Sequence, residues 1–366
     1  TMPRHFLDPP QSVHPAMLSR IAESLYWMAR NLERADDTAR ILDINVVFML
    51  EADEGATEEM QWTPLLSIVG ADDVYLERHA DGKVTVQRVI HLLTQDKGYG
   101  GSLYNSLRLA RENARVVRDR ISQEMWEAIN DFWLSTDRHL KTRLQPWRAA
   151  ELYAYVHREV ALFFGLAQST MMRGEAYGFT QLGSLQERAD MTARILDVRY
   201  HLLLPDLTLV GSPLDYYQWG ALLKSLSGFE AYRRKYHGGI RPIDVVEFVL
   251  LDADFPRSLR YCVDGLGRAL DRIGLVPGGG AAERLSALRT QLDQTSPRAV
   301  LDRGLHEYLD DFLARLADLT VALQADYFEA HMGDAQLDDG AQWQADAEAT
   351  AASAIEGVAP SGGDRR

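Results

Sequence analysis

An all-α helical bundle is the fold class this sequence predicts, on three observations. Apolar residues recur at alternating spacings of three and four along most of the chain, the period of a helix buried on one face. None of these stripes suggests a strand. An eleven-residue segment also recurs almost unchanged part-way along, so one helical unit occurs twice. The composition suits such a fold: of 366 residues 46% are apolar and 25% charged, as in soluble globular proteins. At this length a single core nears its upper limit, so two units or a duplicated one are expected.

The elements follow in order. Residues 1–15, with Arg4, His5, Asp8 and several prolines but no apolar stretch of signal-peptide length, read as a loose leader. From Pro15 a stripe runs through Ile21, Leu25, Met28, Leu32, Ala35, Ala39, Leu42 and Val46, predicting one long helix. A second stripe, Leu103, Leu107, Ala110, Ala114, Val117, Ile121 and Met125, predicts another long helix that Ser122 does not interrupt. Further amphipathic stretches cover 150–174, 177–203, 214–236, 242–273, 282–296 and 299–330. Loops are expected at Gly98–Gly101, Pro205–Pro213 and Val276–Gly280. The longest apolar runs, such as Val245–Leu251 broken by Glu247, fall far short of the roughly 20 residues that cross a bilayer, so no membrane partner is expected. After Met332 large apolar residues almost vanish, and 333–366 reads as a disordered acidic tail.

The repeat is the most informative feature. Residues 33–43 read ERADDTARILD and residues 187–197 read ERADMTARILD, differing only at Asp37 against Met191, at an offset of 154. Trp62, Leu65, Leu66 and Tyr75 are echoed by Trp219, Leu222, Leu223 and Tyr232. Residues 16–175 and 176–332 are therefore read as two tandem pseudo-symmetric repeats packed as one bundle, with the repeated helices near its centre.

Charge and cysteine usage exclude several classes. Lys+Arg 39 against Asp+Glu 53 gives −14, which argues against a polyphosphate-binding surface and a nucleic-acid partner. The single cysteine, Cys262, excludes an internal disulfide, fits a reducing compartment and points to the cytoplasm; its apolar helical context makes it a core residue. There is no phosphate-cradling loop ending in Lys-Ser/Thr, no Glu-x-x-His and no HExxH, so no metal site is expected.

The candidate site is built from charges beside the apolar stripes. Adjacent helical residues point about 100° apart, so Glu33-Arg34 and Glu187-Arg188 cannot pair within one copy. Asp36 with Arg40, and Asp190 with Arg194, stand four apart and can pair along their own helices. Two readings of the Glu-Arg pairs stay open. In one, Glu33 meets Arg188 and Glu187 meets Arg34 in a cross-helix network. In the other they line a polar pocket whose arginines hold a carboxylate or phosphate and whose glutamates accept from an ammonium, suiting an amino acid or peptide end. Arg108, Arg111, Arg115 and Arg118 form a row on one helix face, either neutralised by Glu112, Asp119 or a neighbouring helix, or forming an anion site. Asp254-Phe255-Pro256-Arg257-Ser258 reads as a helix start with Asp254 as cap, which places Arg257 near free N–H groups that favour anions.

The stretches LSRIAESLYWMARNLERADDTARILD, ARENARVVRDRISQEMWEAIN, QERADMTARILD and DFPRSLRYC resemble the Alpha-E family, a helical bacterial domain with a Glu-Arg motif, from about residue 18 to 330. The resemblance carries the Glu-Arg motif onto Glu33 and Arg34 and onto Glu187 and Arg188, and an Arg-Glu-Asn-Ala-Arg motif onto Arg111, Glu112, Asn113 and Arg115. It implies a role in making or processing a peptide or amide bond beside a circularly permuted ATP-grasp ligase. A transglutaminase-like peptidase of the same gene neighbourhood is a further implied partner. The chain itself would bind no cofactor; ATP and Mg would enter through the ligase. The expectation is an accessory subunit that presents an amino-acid or peptide substrate through these residues together with Arg118 and Arg257. The alternatives are an enzyme with Glu33 or Glu187 as general base, and a purely structural scaffold.

Overall fold

The computed structural model describes residues 17, 19–51, 58–142, 144–203 and 213–329. The expected leader 1–15, the tail 333–366 and all but the last residue of the Pro205–Pro213 loop lie outside the described residues. Those described form fifteen α-helices and no strand.

Two long helices make the centre. α1 (Ser19–Glu51) packs most extensively on α8 (Glu175–Leu203). The α1 stripe lies in the core, with Leu25, Met28, Leu32, Ala35, Ala39 and Leu42 fully buried. Tyr26, Trp27, Ala29 and Ile41, off that stripe, are buried too, so α1 is enclosed on more than one side. At the crossing a Cβ on Gly183 would fall 2.1 Å from the Tyr26 carbonyl oxygen and 3.1 Å from the Arg30 nitrogen, so glycine lets the two backbones touch.

The remaining helices wrap this pair. After α2 (Glu58–Ile68), α3 (Asp72–Arg78) and α4 (Val86–Ile90), which continues as a π-helical segment His91–Gln95, come α5 (Leu103–Val116), α6 (Gln123–Leu140) and α7 (Pro146–Thr170). α5 and α7 cover α1. After α8 come α9 (Pro213–Ser225), α10 (Phe229–Lys235), α11 (Pro242–Leu251), α12 (Leu259–Ile273), α13 (Ala281–Asp293), α14 (Pro297–Arg303) and α15 (Leu305–Leu323), which ends in a π-helical segment Gln324–Phe328. α12 and α15 cover α8.

Several predicted helices are divided. The stripe Leu103–Met125 is two helices, because Ser122 accepts a hydrogen bond from Met125 N at 3.2 Å and starts α6. Val117 and Ile121 stay buried through the intervening turn, so the apolar spacing conceals the break. The stretch 242–273 divides at 252–258. There Ser258, not Asp254, is the cap: its Oγ accepts from Tyr261 N at 3.0 Å, while Asp252 Oδ1 accepts from Asp254 N and Phe255 N, both at 2.8 Å. The stretch 214–236 divides at Ser227, whose φ of 51° no helix continues through, and 299–330 divides at Gly304, whose φ is 127°.

Several local bonds recur at two places along the chain. Tyr75 Oη donates to Lys83 O at 2.8 Å and accepts from Thr85 N; Tyr232 Oη donates to Gly239 O at 3.1 Å and accepts from Arg241 N. Asp96 Oδ1 accepts from Gly98 N and Tyr99 N as Asp252 does from Asp254 N and Phe255 N. Ser102 caps α5 as Ser258 caps α12.

Candidate functional site

Because α1 and α8 lie against each other, the Glu-Arg side chains that cannot pair within a helix meet across it. Arg188 Nε and Nη2 donate to Glu33 at 2.7 and 2.9 Å, and Arg34 Nε and Nη2 donate to Glu187 at 2.5 and 3.0 Å. Each is a two-pronged arginine–carboxylate pair. Glu33 and Glu187 are buried, with 1% and 3% of their surface exposed. A further arginine backs each one. Arg30 Nε donates to Glu187 at 2.7 Å, and Arg257 Nη2 lies 3.2 Å from Glu33.

Arg257 does not stand over free backbone N–H groups, as its place before a helix start suggested. It reaches into an acidic group on α1, bonding Asp37 at 2.5 Å and Asp36 at 2.9 Å. Asp36 also accepts from Arg40 at 2.6 Å and lies 2.6 Å from His157 Nδ1 of α7. Asp190 accepts from Arg194 at 2.7 Å along α8.

The surroundings set different charge states. Burial works to raise Glu187, but Arg34 and Arg30 overcome it and hold the carboxyl at about 2. Burial likewise opposes ionisation of Asp36, yet the His157 hydrogen bond, Arg40 and Arg257 keep it below the usual carboxylate range. Asp37 goes the other way: burial, helped by Glu33 and Asp36 and only partly offset by Arg257, pushes it up to about 7. Its Oδ2 is buried with no hydrogen-bond partner. Burial also raises the Cys262 thiol to about 12, so this core residue is a poor nucleophile.

Among the described residues two groups have ligand atoms close enough to hold a cation. Glu33, Asp36 and Asp37 bring carboxylate oxygens within 4.8 Å of one another. Guanidinium and imidazole donors already hold them, so a Mg ion would have to enter against Arg188 and Arg257. Asp197, His306 and Asp310 form the other group, but His306 lies between the two carboxylates at 2.8 and 3.3 Å. Its pKa is raised, Asp197 outweighing burial, which suits a protonated imidazole rather than a metal ligand.

The Arg-Glu-Asn-Ala-Arg residues lie elsewhere, on α5. Glu112 accepts from Arg111 at 2.7 Å and Arg115 at 2.9 Å, Arg111 also donates to Asn130, and Asn113 donates to Leu109 O. Arg111 and Arg118 lie over the Trp126 ring, 5.8 and 5.2 Å from its centroid. Among the described residues no hydrogen bond or ion pair joins this set to the Glu-Arg network.

Beside the network lies a cavity of about 320 Å³ between α7, α8 and α12, with Arg188 on its wall. The sequence reading picked Arg188 but not the other cavity residues, nor Arg30, Asp37 or His157. Only Asp37 carried a signal, as the one mismatch in the repeated motif.

The Alpha-E family, described as a predicted alpha-helical domain with a conserved ER motif, matches residues 17–328. The chain belongs to the Alpha-E family. The two Glu-Arg pairs that cross-link α1 and α8 both lie within the matched residues. Uncharacterized proteins of Mycobacterium bovis and of two strains of Mycobacterium tuberculosis are 24% identical to this Alpha-E chain over 331 residues, 84% of it. The chain spans about a third of the length of these curated relatives, 35%. No solved structure matches it. Among the described residues no helix is long and apolar enough to cross a membrane.

Proposed function

We propose that this Alpha-E chain is an accessory subunit that holds an amino-acid or peptide end for a circularly permuted ATP-grasp ligase in the cytoplasm. One observation carries the reading: guanidinium groups occupy both motif glutamates, while Arg188 borders an open cavity. Among the described residues no Asp or Glu lines this cavity, so it offers a ligand fixed donors and no carboxylate base. Glu187, held at about 2 by two arginines, is ionised yet has little basicity to give. Asp37 titrates near neutrality but does not line the cavity. Binding is therefore the better supported role, with activation left to a partner that brings ATP and Mg. The matched relatives, whose chains run well beyond the aligned 331 residues, support work beside another domain.

The two halves are read as tandem pseudo-symmetric repeats, 16–175 and 176–332. The matched tyrosine, aspartate and serine bonds and the crossed Glu-Arg pairs support this. A transglutaminase-like peptidase is the second partner to look for.

A tagged pull-down from the native cell, with mass spectrometry and ATP turnover on the recovered material, tests the reading. The expected result is an ATP-grasp protein whose turnover this chain increases. Recovery of the chain alone, or a ligase that runs at full rate without it, overturns the proposal. Glu33→Gln in the reconstituted pair separates structure from catalysis. We expect lost thermal stability, of the roughly 3–5 kcal/mol typical when one member of a buried ion pair is removed, and not a selective rate loss of about 10²–10⁴ in a folded protein.

A further inference from the structure

The cavity between α7, α8 and α12 has a charge pattern that the Glu-Arg network does not explain. Arg188 on its wall is neutralised by Glu33. Arg268 and Arg272 at its edge, both from α12, are not neutralised: among the described residues neither has an ion-pair partner, and no Asp or Glu lines the cavity. They stand four residues apart, where like charges on a helix repel. Each guanidinium lies over an aromatic ring of the wall, Arg268 over Tyr261 and Arg272 over Tyr177, both at 5.9 Å from the centroid. The Arg272 Nη1 donates to the Arg268 carbonyl at 2.9 Å. Two uncompensated cations against aromatic walls stand out in a chain of net charge −14.

The opposite half shows what a filled version looks like. At the repeat offset Trp27 and Arg30 correspond to Gln181 and Ser184 of the cavity wall. Beside Glu187, Arg30 bonds the carboxylate and lies 5.1 Å from the Trp27 ring centroid. Beside Glu33 the smaller Ser184 and Gln181 leave space, and Arg257 supplies the second cation from outside the cavity. The offset of 156 set by Ser102 and Ser258 places Glu112 and Val116 at the positions of Arg268 and Arg272. Open volume and free positive charge therefore coincide beside α12, where the corresponding positions of α5 hold Glu112 and Val116.

We propose that this cavity binds a small oxyanion-bearing molecule of amino-acid to dipeptide size, its carboxylate or phosphate between Arg268 and Arg272 and its body between Tyr177 and Tyr261. The volume of about 320 Å³ sits at the small end of ligand sites, roughly 300–1,000 Å³. Planar guanidinium forks steadied on aromatic faces are suited to a two-oxygen acceptor. This deepens the substrate-holding reading by naming its site and ligand class, yet it needs no partner to be tested.

Titration calorimetry on the full chain alone, with the dipeptide alanyl-tyrosine and with inorganic phosphate as separate probes, makes the test. At least one probe should bind, and the binding should weaken with added salt. Tighter binding of the dipeptide assigns a carboxylate ligand; binding of phosphate alone assigns a phosphate ester. The double variant Arg268→Gln/Arg272→Gln, altered only at exposed positions and verified by an unchanged melt, should bind at least about tenfold more weakly, the scale of a charge-assisted hydrogen bond. The site is overturned if neither probe binds up to about 10 mM, or if the folded double variant binds as well as the parent. Failure of the ligase pull-down with this binding intact would remove the partner and keep the site.

Discussion

At Asp37 a buried carboxylate has one oxygen on Arg257 and the other without a partner. Its ordinary value is 3.8 and the folded value about 7, so between these limits the folded chain keeps a proton that the unfolded chain has lost. Stability from this group therefore falls as pH rises through that window and is level above it. Glu187, depressed to about 2, acts oppositely: its contribution is present above its ordinary 4.5 and lost as pH falls toward 2. Asp37→Asn keeps an oxygen for Arg257 and removes the titration. The Tm difference, variant minus parent, should be smallest near pH 4, grow in favour of the variant to about pH 7 and then level off. A melt series showing a constant difference, or a variant less stable at pH 8, would refute this account. The repeated motif marked Asp37 only as a mismatch; its meaning comes from Arg257, more than two hundred residues away, which local spacing cannot reveal.

The crossing of α1 and α8 at Gly183 controls how closely the central helices pack. An added methyl there meets the Tyr26 carbonyl at 2.1 Å, a backbone atom that cannot rotate away. Gly183→Ala should thus separate the helices and cost about 1–3 kcal/mol, the range for an overpacked core. Gly165 on α7 has nothing within 4 Å of its would-be Cβ, and Gly165→Ala should instead stabilise by up to about 1 kcal/mol through helix propensity. Urea unfolding of both variants distinguishes local packing from a general effect of glycine replacement: two changes of the same sign would defeat the argument. Helix type was readable at this scale because the stripes keep their period. Helix ends were not, since Val117 and Ile121 hold the period through a turn and the decision rests with the Ser122 hydroxyl. The same holds at Asp254, where a plausible cap loses to Ser258 because Asp252 takes the neighbouring N–H groups.

At the scale of the whole molecule, neither half completes its own centre. α1 buries Leu25, Met28 and Leu32 in a core shared with α8, and each motif glutamate has its two-pronged partner in the other half. The composition and the repeat indicated two similar helical units, but periodicity reads one face of one helix and does not choose its neighbour. A half produced alone would leave Glu33 or Glu187 without its bidentate arginine and expose the apolar side of its long helix. The unpaired charge costs roughly 3–5 kcal/mol, and with the lost apolar burial it takes up the marginal stability of a small domain, about 5–15 kcal/mol. Cutting between Met172 and Arg173, in the exposed turn ahead of α8, should therefore give two fragments that show no cooperative melt alone. Mixed, they should recover a single transition, because the fragments carry complementary charges as well as complementary apolar faces. Arg188→Glu in the second fragment should abolish that recovery by setting two carboxylates against each other, and Glu33→Arg in the first should restore part of it. Calorimetry on the separate, mixed and charge-swapped fragments reads this directly. A fragment that melts cooperatively by itself would mean that the halves are independent domains and that the crossed Glu-Arg pairs merely dock them.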